Sequence, residues 1–116
     1  MHDVMFSKEI VAAVNAKKQS LPQNTKVVGI HVLLSPLSHV TGKGLGETFA
    51  MMVEGTDLEK VAFLVKPMKI PMSCASCGAT FWVDAPTFAC TQCGNAAIAV
   101  TDSREFVVES IDVEEA

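Results

Sequence analysis

Apolar residues near the start of the chain fall at Phe6, Ile10, Ala13 and Val14, with Lys8, Asn15 and Lys18 outside that set. This spacing gathers the apolar side chains on one helical face and predicts an amphipathic helix from Val4 to about Lys18. Asp3 stands where a helix cap is wanted. The tetrapeptide LPQN then breaks the pattern. From Lys26 the period changes. KVVGIHVLL alternates, with Val28, Ile30, Val32 and Leu34 on one face and Val27, His31 and Leu33 on the other. It reads as a strand with at least one buried face.

SPLSHVTGKG reads as loop. Leu45, Phe49, Met52 and Val53 then recur at the i, i+4, i+7, i+8 spacing of a second amphipathic helix. Gly44 and Gly46 weaken its start, and Gly55 is a stop signal. VAFLV, ending at Val65, is a second strand. KPMKIPM is a proline-punctuated connector, and EFVVESIDV, from Glu105 to Val113, is a closing strand.

Between connector and closing strand lies CASCGATFWVDAPTFACTQCG. Cys74 and Cys77 form one CxxC, Cys90 and Cys93 another, and Gly78 and Gly94 follow the pairs. A CxxCG knuckle turns two thiolates toward one point, and glycine removes a side chain that would obstruct the turn. Two knuckles make a four-sulfur tetrahedron, which suits structural zinc and leaves no open coordination position. Tetrahedral sulfur also suits iron in a rubredoxin-like electron carrier. Two disulfides would need an oxidising compartment. The spacer suits two short strands joined around Asp84, Ala85 and Pro86. So short a module buries little core of its own, whereas structural zinc contributes about 10–16 kcal/mol in finger peptides.

Together these elements predict an α+β fold: a small sheet of about three strands packed with two helices, interrupted by an inserted zinc ribbon. The expected units are a discontinuous domain of residues 1–68 with 103–116, and a ribbon of residues 69–102.

Composition narrows the function. The 116-residue chain is 49% hydrophobic, with a net charge of −4. A general nucleic-acid binder needs a basic face, yet Asp84 is the sole charged residue from Cys74 to Val100. Phe81, Trp82 and Phe88 in that stretch suit packing under the knuckles or against a protein partner better than base stacking. No stretch has the length of a membrane helix, and a cytoplasmic location is expected. GKGLGE lacks the spacing and closing lysine of a phosphate-binding loop, and no nucleophile–base pair stands out. A carrier or binding protein is expected, not an enzyme. Met51, Met52, Met68 and Met72 read as core filling.

His2 stands directly behind Met1. It is either an ordinary polar terminal residue or a ligand. The chemistry of the second reading is definite. Nickel(II) accepts square-planar nitrogen ligation, and the Met1 amine, the His2 imidazole and deprotonated amides of His2 and Asp3 lie within one short loop of chain.

Read together, Met1-His2 and the first helix, VVGIHVLLSPLSHV, GTDLEKVAFLV with Gly55, Thr56, Leu58 and Ala62, both CxxC pairs, and FVVESIDVE resemble the hydrogenase nickel-insertion accessory proteins, the HypA/HybF family. The resemblance spans nearly the whole chain, and its specificity lies in the order of the pieces. It implies a metallochaperone with nickel at Met1, His2 and Asp3 and structural zinc at Cys74, Cys77, Cys90 and Cys93. It implies delivery of nickel to the large subunit precursor of nickel–iron hydrogenase, a HypB-type GTPase as partner, and in some organisms a link to urease maturation. A monomer or homodimer is expected, without nucleic acid or membrane. The family usually carries glutamate at position three, where this chain has Asp3. A carboxylate that binds metal or orients His2 would be altered by that change, and a backbone amide would not. His31 reads as a strand residue and His39 as a loop residue. The competing reading is a zinc-ribbon adaptor for protein or RNA with no nickel role.

Overall fold

The computed structural model describes residues 2–102 and 104–115. Met1, one of the three expected nickel ligands, lies outside them, as do residues 103 and 116 at the limits of the expected units. Among the described residues the elements are α1 (His2–Lys18), β1 (Thr25–Leu34), α2 (Gly42–Met52), β2 (Ala62–Pro67), β3 (Ile70–Cys74), β4 (Thr80–Val83), β5 (Ile98–Val100) and β6 (Phe106–Glu115). They form an α+β fold with two three-stranded sheets, ordered β2-β1-β6 and β4-β3-β5.

The first sheet is mixed. β1 is its centre, parallel to β2 and antiparallel to β6. The parallel pair requires a crossover, and α2 supplies it. Both helices lie on one face, where Phe6, Ile10 and Val14 of α1 and Leu45 and Phe49 of α2 share a core with Ile30, Val32 and Leu34 of β1. Phe63 of β2 stacks on Phe49 with centroids 4.2 Å apart, tying the crossover helix to its strand.

Two details depart from the alternation read in the sequence. Val27 pairs with Val113 and Gly29 with Asp112, so Val28 is an extra residue on β1. This bulge turns Val27 into the core, where it is 3% exposed, and moves Val28 off the buried face. In α1 the buried stripe is Phe6, Ser7, Ile10 and Val14, and Ala13 is exposed. The helix also starts at His2, so Asp3 lies in its first turn and does not cap it. In α2 the cap is Thr41, whose Oγ1 accepts the Gly44 amide at 3.0 Å.

The connector contains a strand that its prolines conceal. β3 is the centre of the second sheet, flanked by antiparallel β4 and β5. Pro71 is tolerated because it lies beyond the last β5 pair, Met72–Val100, where its carbonyl accepts the Thr101 amide at 3.0 Å and no donor is needed. Of the two strands expected in the cysteine spacer, β4 is present, and the other flank of β3 is β5, beyond the second knuckle. Around Pro86 the chain turns, and Thr87 Oγ1 donates to the Ala85 carbonyl at 3.1 Å. The chain enters and leaves this sheet beside the end of β1. The Met68 amide bonds the Leu34 carbonyl at 2.9 Å, and the Ser35 amide bonds the Glu105 carbonyl at 2.7 Å.

Candidate metal centre

The four cysteines converge. Their sulfurs all lie within 4.8 Å of one another. Cys74 Sγ is 3.7 Å from Cys93 Sγ, and Cys77 Sγ is 3.7 Å from Cys90 Sγ. A tetrahedral ion with metal–sulfur bonds of about 2.3 Å has sulfur–sulfur edges of about 3.8 Å, so the set fits one such ion. All four cysteines are free, and the separations are far above a disulfide bond length.

Each knuckle is built by the backbone. Gly78 and Gly94 amides bond the carbonyls of Cys74 and Cys90 at 2.9 Å. The Cys74 and Cys90 amides bond the carbonyls of Ala79 and Asn95 at 2.9 and 2.8 Å. Closing these turns takes Gly78 to φ 75° and Gly94 to φ 76°, the left-handed region that glycine tolerates. A Cβ at either position would meet nothing within 4 Å. The glycines therefore serve backbone conformation; no crowding side chain is being avoided.

The electrostatics of the cluster are uneven. Amide donation from Cys93 and Gln92 pulls the Cys90 thiol down to about 6. At Cys77 the Ala79 amide also favours the thiolate. Desolvation and hydrogen bonding with Cys90, Cys74 and Cys93 outweigh it and push that thiol up to about 11. Without metal the Cys90 thiol loses its proton before that of Cys77, and a divalent ion would offset the repulsion among clustered thiolates. Cys74 and Cys90 are buried, whereas Cys77 and Cys93 face outward.

At the other end of the fold, His2 opens α1 and is exposed. Its ring lies over Phe6 with centroids 6.4 Å apart, and Phe6 in turn packs on Phe106 of β6 at 4.5 Å. The first amides of a helix have no acceptor within it, so the His2 and Asp3 nitrogens lack intrahelical partners. The Asp3 side chain leans toward α2. A Cβ built on Gly44 would lie 2.8 Å from Asp3 Oδ2. In the sequence Gly44 stands only as a weak helix former, and no periodicity pairs it with Asp3.

The remaining candidates fall elsewhere. His31 lies on β1 with Nε2 2.8 Å from Asp112 Oδ2, and His39 is exposed in the loop before α2. Trp82 and Phe88 do not pack beneath the knuckles; they are 65% and 86% exposed. Met72 fills the second sheet's core, but Met51 is exposed on α2. Among the described residues no helix is long and apolar enough to cross a membrane.

A two-helix α+β unit joined to a four-thiolate ribbon, with an accessible histidine at its first helical residue, defines a small metal-binding protein. The comparisons specify which kind. The family described as "HypA: Hydrogenase/urease nickel incorporation, metallochaperone" matches residues 1–113, and the chain belongs to that family. It is 26% identical over 114 residues to the hydrogenase maturation factor HypA of Picosynechococcus, covering 97% of this chain and 99% of that one. It is 29% identical over 90 residues to the HypA of Desulfitobacterium hafniense, covering 78% and 79%. The solution structure of the nickel metallochaperone HypA from Helicobacter pylori superposes with a TM-score of 0.68 at 17% identity, covering 98% of each chain. That likeness bears on the fold.

Proposed function

We propose that this protein carries nickel(II) at its first three residues and delivers it during hydrogenase maturation, with zinc held by Cys74, Cys77, Cys90 and Cys93. The observation that carries this reading is the exposed His2 at a helix start whose amides have no intrahelical partner, in a chain of a nickel-incorporation family. The Met1 amine, the His2 and Asp3 backbone nitrogens and the His2 imidazole would supply four nitrogens to a square-planar ion. Nickel here is cargo. Its ligands sit on an exposed chain end and can be displaced one at a time by an acceptor site, which suits handover more than storage. Each nitrogen must give up or lack a proton to bind, so affinity falls as the pH drops below neutrality.

The ribbon's role is structural. When bound, zinc crosslinks two knuckles that have little else to hold them. Its four sulfurs saturate a tetrahedral ion and leave no position for substrate, in keeping with a carrier that is not an enzyme. Zinc is favoured over iron because a carrier of this family has no electron-transfer step to serve. We take residues 69–102 as the ribbon unit and residues 1–68 with 103–116 as the nickel unit. The acceptor is the precursor of the hydrogenase large subunit. A HypB-type GTPase supplies the nucleotide chemistry for which this chain has no phosphate loop. The setting is the cytoplasm.

The test uses zinc-loaded protein with a free Met1 amine, titrated with nickel beside His2→Ala. One nickel per chain in the parent, with the weak visible band of square-planar nickel, is expected to vanish in the variant while zinc is retained. Equal nickel binding by both proteins would remove His2 from the site and favour a ribbon adaptor.

A further inference from the structure

The first turn of α1 reaches the first turn of α2. Asp3 lies in the α1 turn, and its carboxylate rests against the bare Cα of Gly44 in the first turn of α2. A methyl group on Gly44 would stand 2.8 Å from Asp3 Oδ2 and 3.1 Å from Thr41 Oγ1, so the notch exists only because residue 44 has no side chain. The notch lies in the turn that Thr41 caps, at the positive end of the α2 dipole.

This placement conflicts with the geometry of a nickel chelate. In a helical turn successive amide N–H bonds run side by side along the axis. Two backbone nitrogens bound to one square-planar ion must converge on a single point in one plane. The chain at His2 and Asp3 therefore has to leave the helical conformation when nickel is taken up. We propose that the Gly44 notch parks Asp3, holding the metal-free N-terminus as a helical turn that nickel must open. Asp3 contributes only its backbone nitrogen to the metal, and its carboxylate is a positioning group. Gly44 is then a positioning residue acting through Asp3. This inference rests on the N-terminal nickel reading above. It also accounts for why aspartate can stand where the family usually has glutamate.

The test compares zinc-loaded parent, Gly44→Ala, Asp3→Ala, the double variant and His2→Ala, each with a free Met1 amine. Alanine is a better helix former than glycine, so α2 persists in Gly44→Ala. Hydrogen exchange at Phe6 and Ser7 reports the first turn without any metal, because those amides bond back to residues 2 and 3. Losing a charge–helix contact of this kind speeds that exchange by about fivefold and tightens nickel by a similar factor. Asp3→Ala should do the same, with no further gain in the double variant. Nickel added to the parent should shift the Thr41–Leu45 amide resonances along with those of α1's first turn. Weaker nickel binding in Asp3→Ala would make the carboxylate a ligand and overturn the proposal. Unchanged exchange and affinity in Gly44→Ala would overturn it as well. Retention of nickel by His2→Ala would instead defeat the N-terminal site, while the metal-free exchange still decides whether the notch holds the turn.

Discussion

Gly29 and Asp112 face each other in register across β1 and β6, and a Cβ on Gly29 would lie 2.6 Å from Asp112 Oδ2. The same oxygen is 2.8 Å from His31 Nε2. The missing side chain lets the carboxylate lie across the central strand and reach a histidine two positions along. It also explains a glycine in the middle of a strand, where the residue otherwise weakens packing.

Gly29→Ala should therefore destabilise the protein by about 1–2 kcal/mol, the scale of a displaced hydrogen bond to a charged group. In an Asp112→Ala background the same substitution should be neutral or slightly stabilising, since alanine restricts the unfolded chain more than glycine does. Urea unfolding of the four proteins gives the coupling directly. Additive effects would show that the carboxylate does not occupy the space above Gly29.

Phe6 joins the first turn of α1 to the core. It is 5% exposed, carries the His2 ring on one side and packs on Phe106 on the other. Phe6→Ala should cost about 3–4 kcal/mol by leaving a cavity between α1 and β6. Phe6→Leu should cost about 1 kcal/mol and retain the fold. Thermal denaturation of the zinc-loaded proteins checks both values.

The elements that carry the fold were legible in the sequence to different degrees. α1, β1, α2 and β2 show in the 3.6 and 2.0 periods because each turns one face to the core, and β6 shows as an apolar run bounded by charged residues. The metal cluster was legible because sulfur spacing encodes it without reference to the rest of the chain. β3 was not, since Pro67 precedes it, Pro71 lies inside it, and its β5 partner comes from beyond the second knuckle. Nor was the Val28 bulge, because a ladder shift leaves no mark in the alternation of one strand. At the candidate nickel site His2 stood out by position alone. The Asp3–Gly44 contact depends on how α1 packs against α2, which no local pattern specifies.

Asp57 supplies a pH dependence. The Lys18 ammonium at the end of α1 hydrogen-bonds it and holds its carboxyl below the usual carboxylate range, against an opposing effect of desolvation. A depressed folded-state value favours folding above the unfolded value. That contribution disappears as the pH falls through the folded one. The pair is largely exposed, so Asp57→Asn should cost no more than about 1 kcal/mol at neutral pH, and less in high salt. The stability curves of parent and variant should converge as the pH falls below the carboxylate range. A gap that persists in strong acid would mean that Asp57 acts through packing instead.

The ribbon should depend on its metal more than the first sheet does. Apart from Cys74 and Cys90, its buried hydrophobic residues among those described are Ile70 and Met72, against twelve buried residues in the helix-and-sheet core. Stripping the metal with a chelator should collapse the amide resonances of residues 74–100. Those of α1 and β1 should stay dispersed, because their core contains none of the cysteines. Cys90→Ser should reproduce that pattern and lose the metal. Gly94→Ala should retain the metal at a cost of about 1–2 kcal/mol, since the left-handed backbone is its only obstacle and open space surrounds it. If chelation left the ribbon resonances in place, the cysteines would be holding a metal that the fold does not need, and the structural role assigned to it would be wrong.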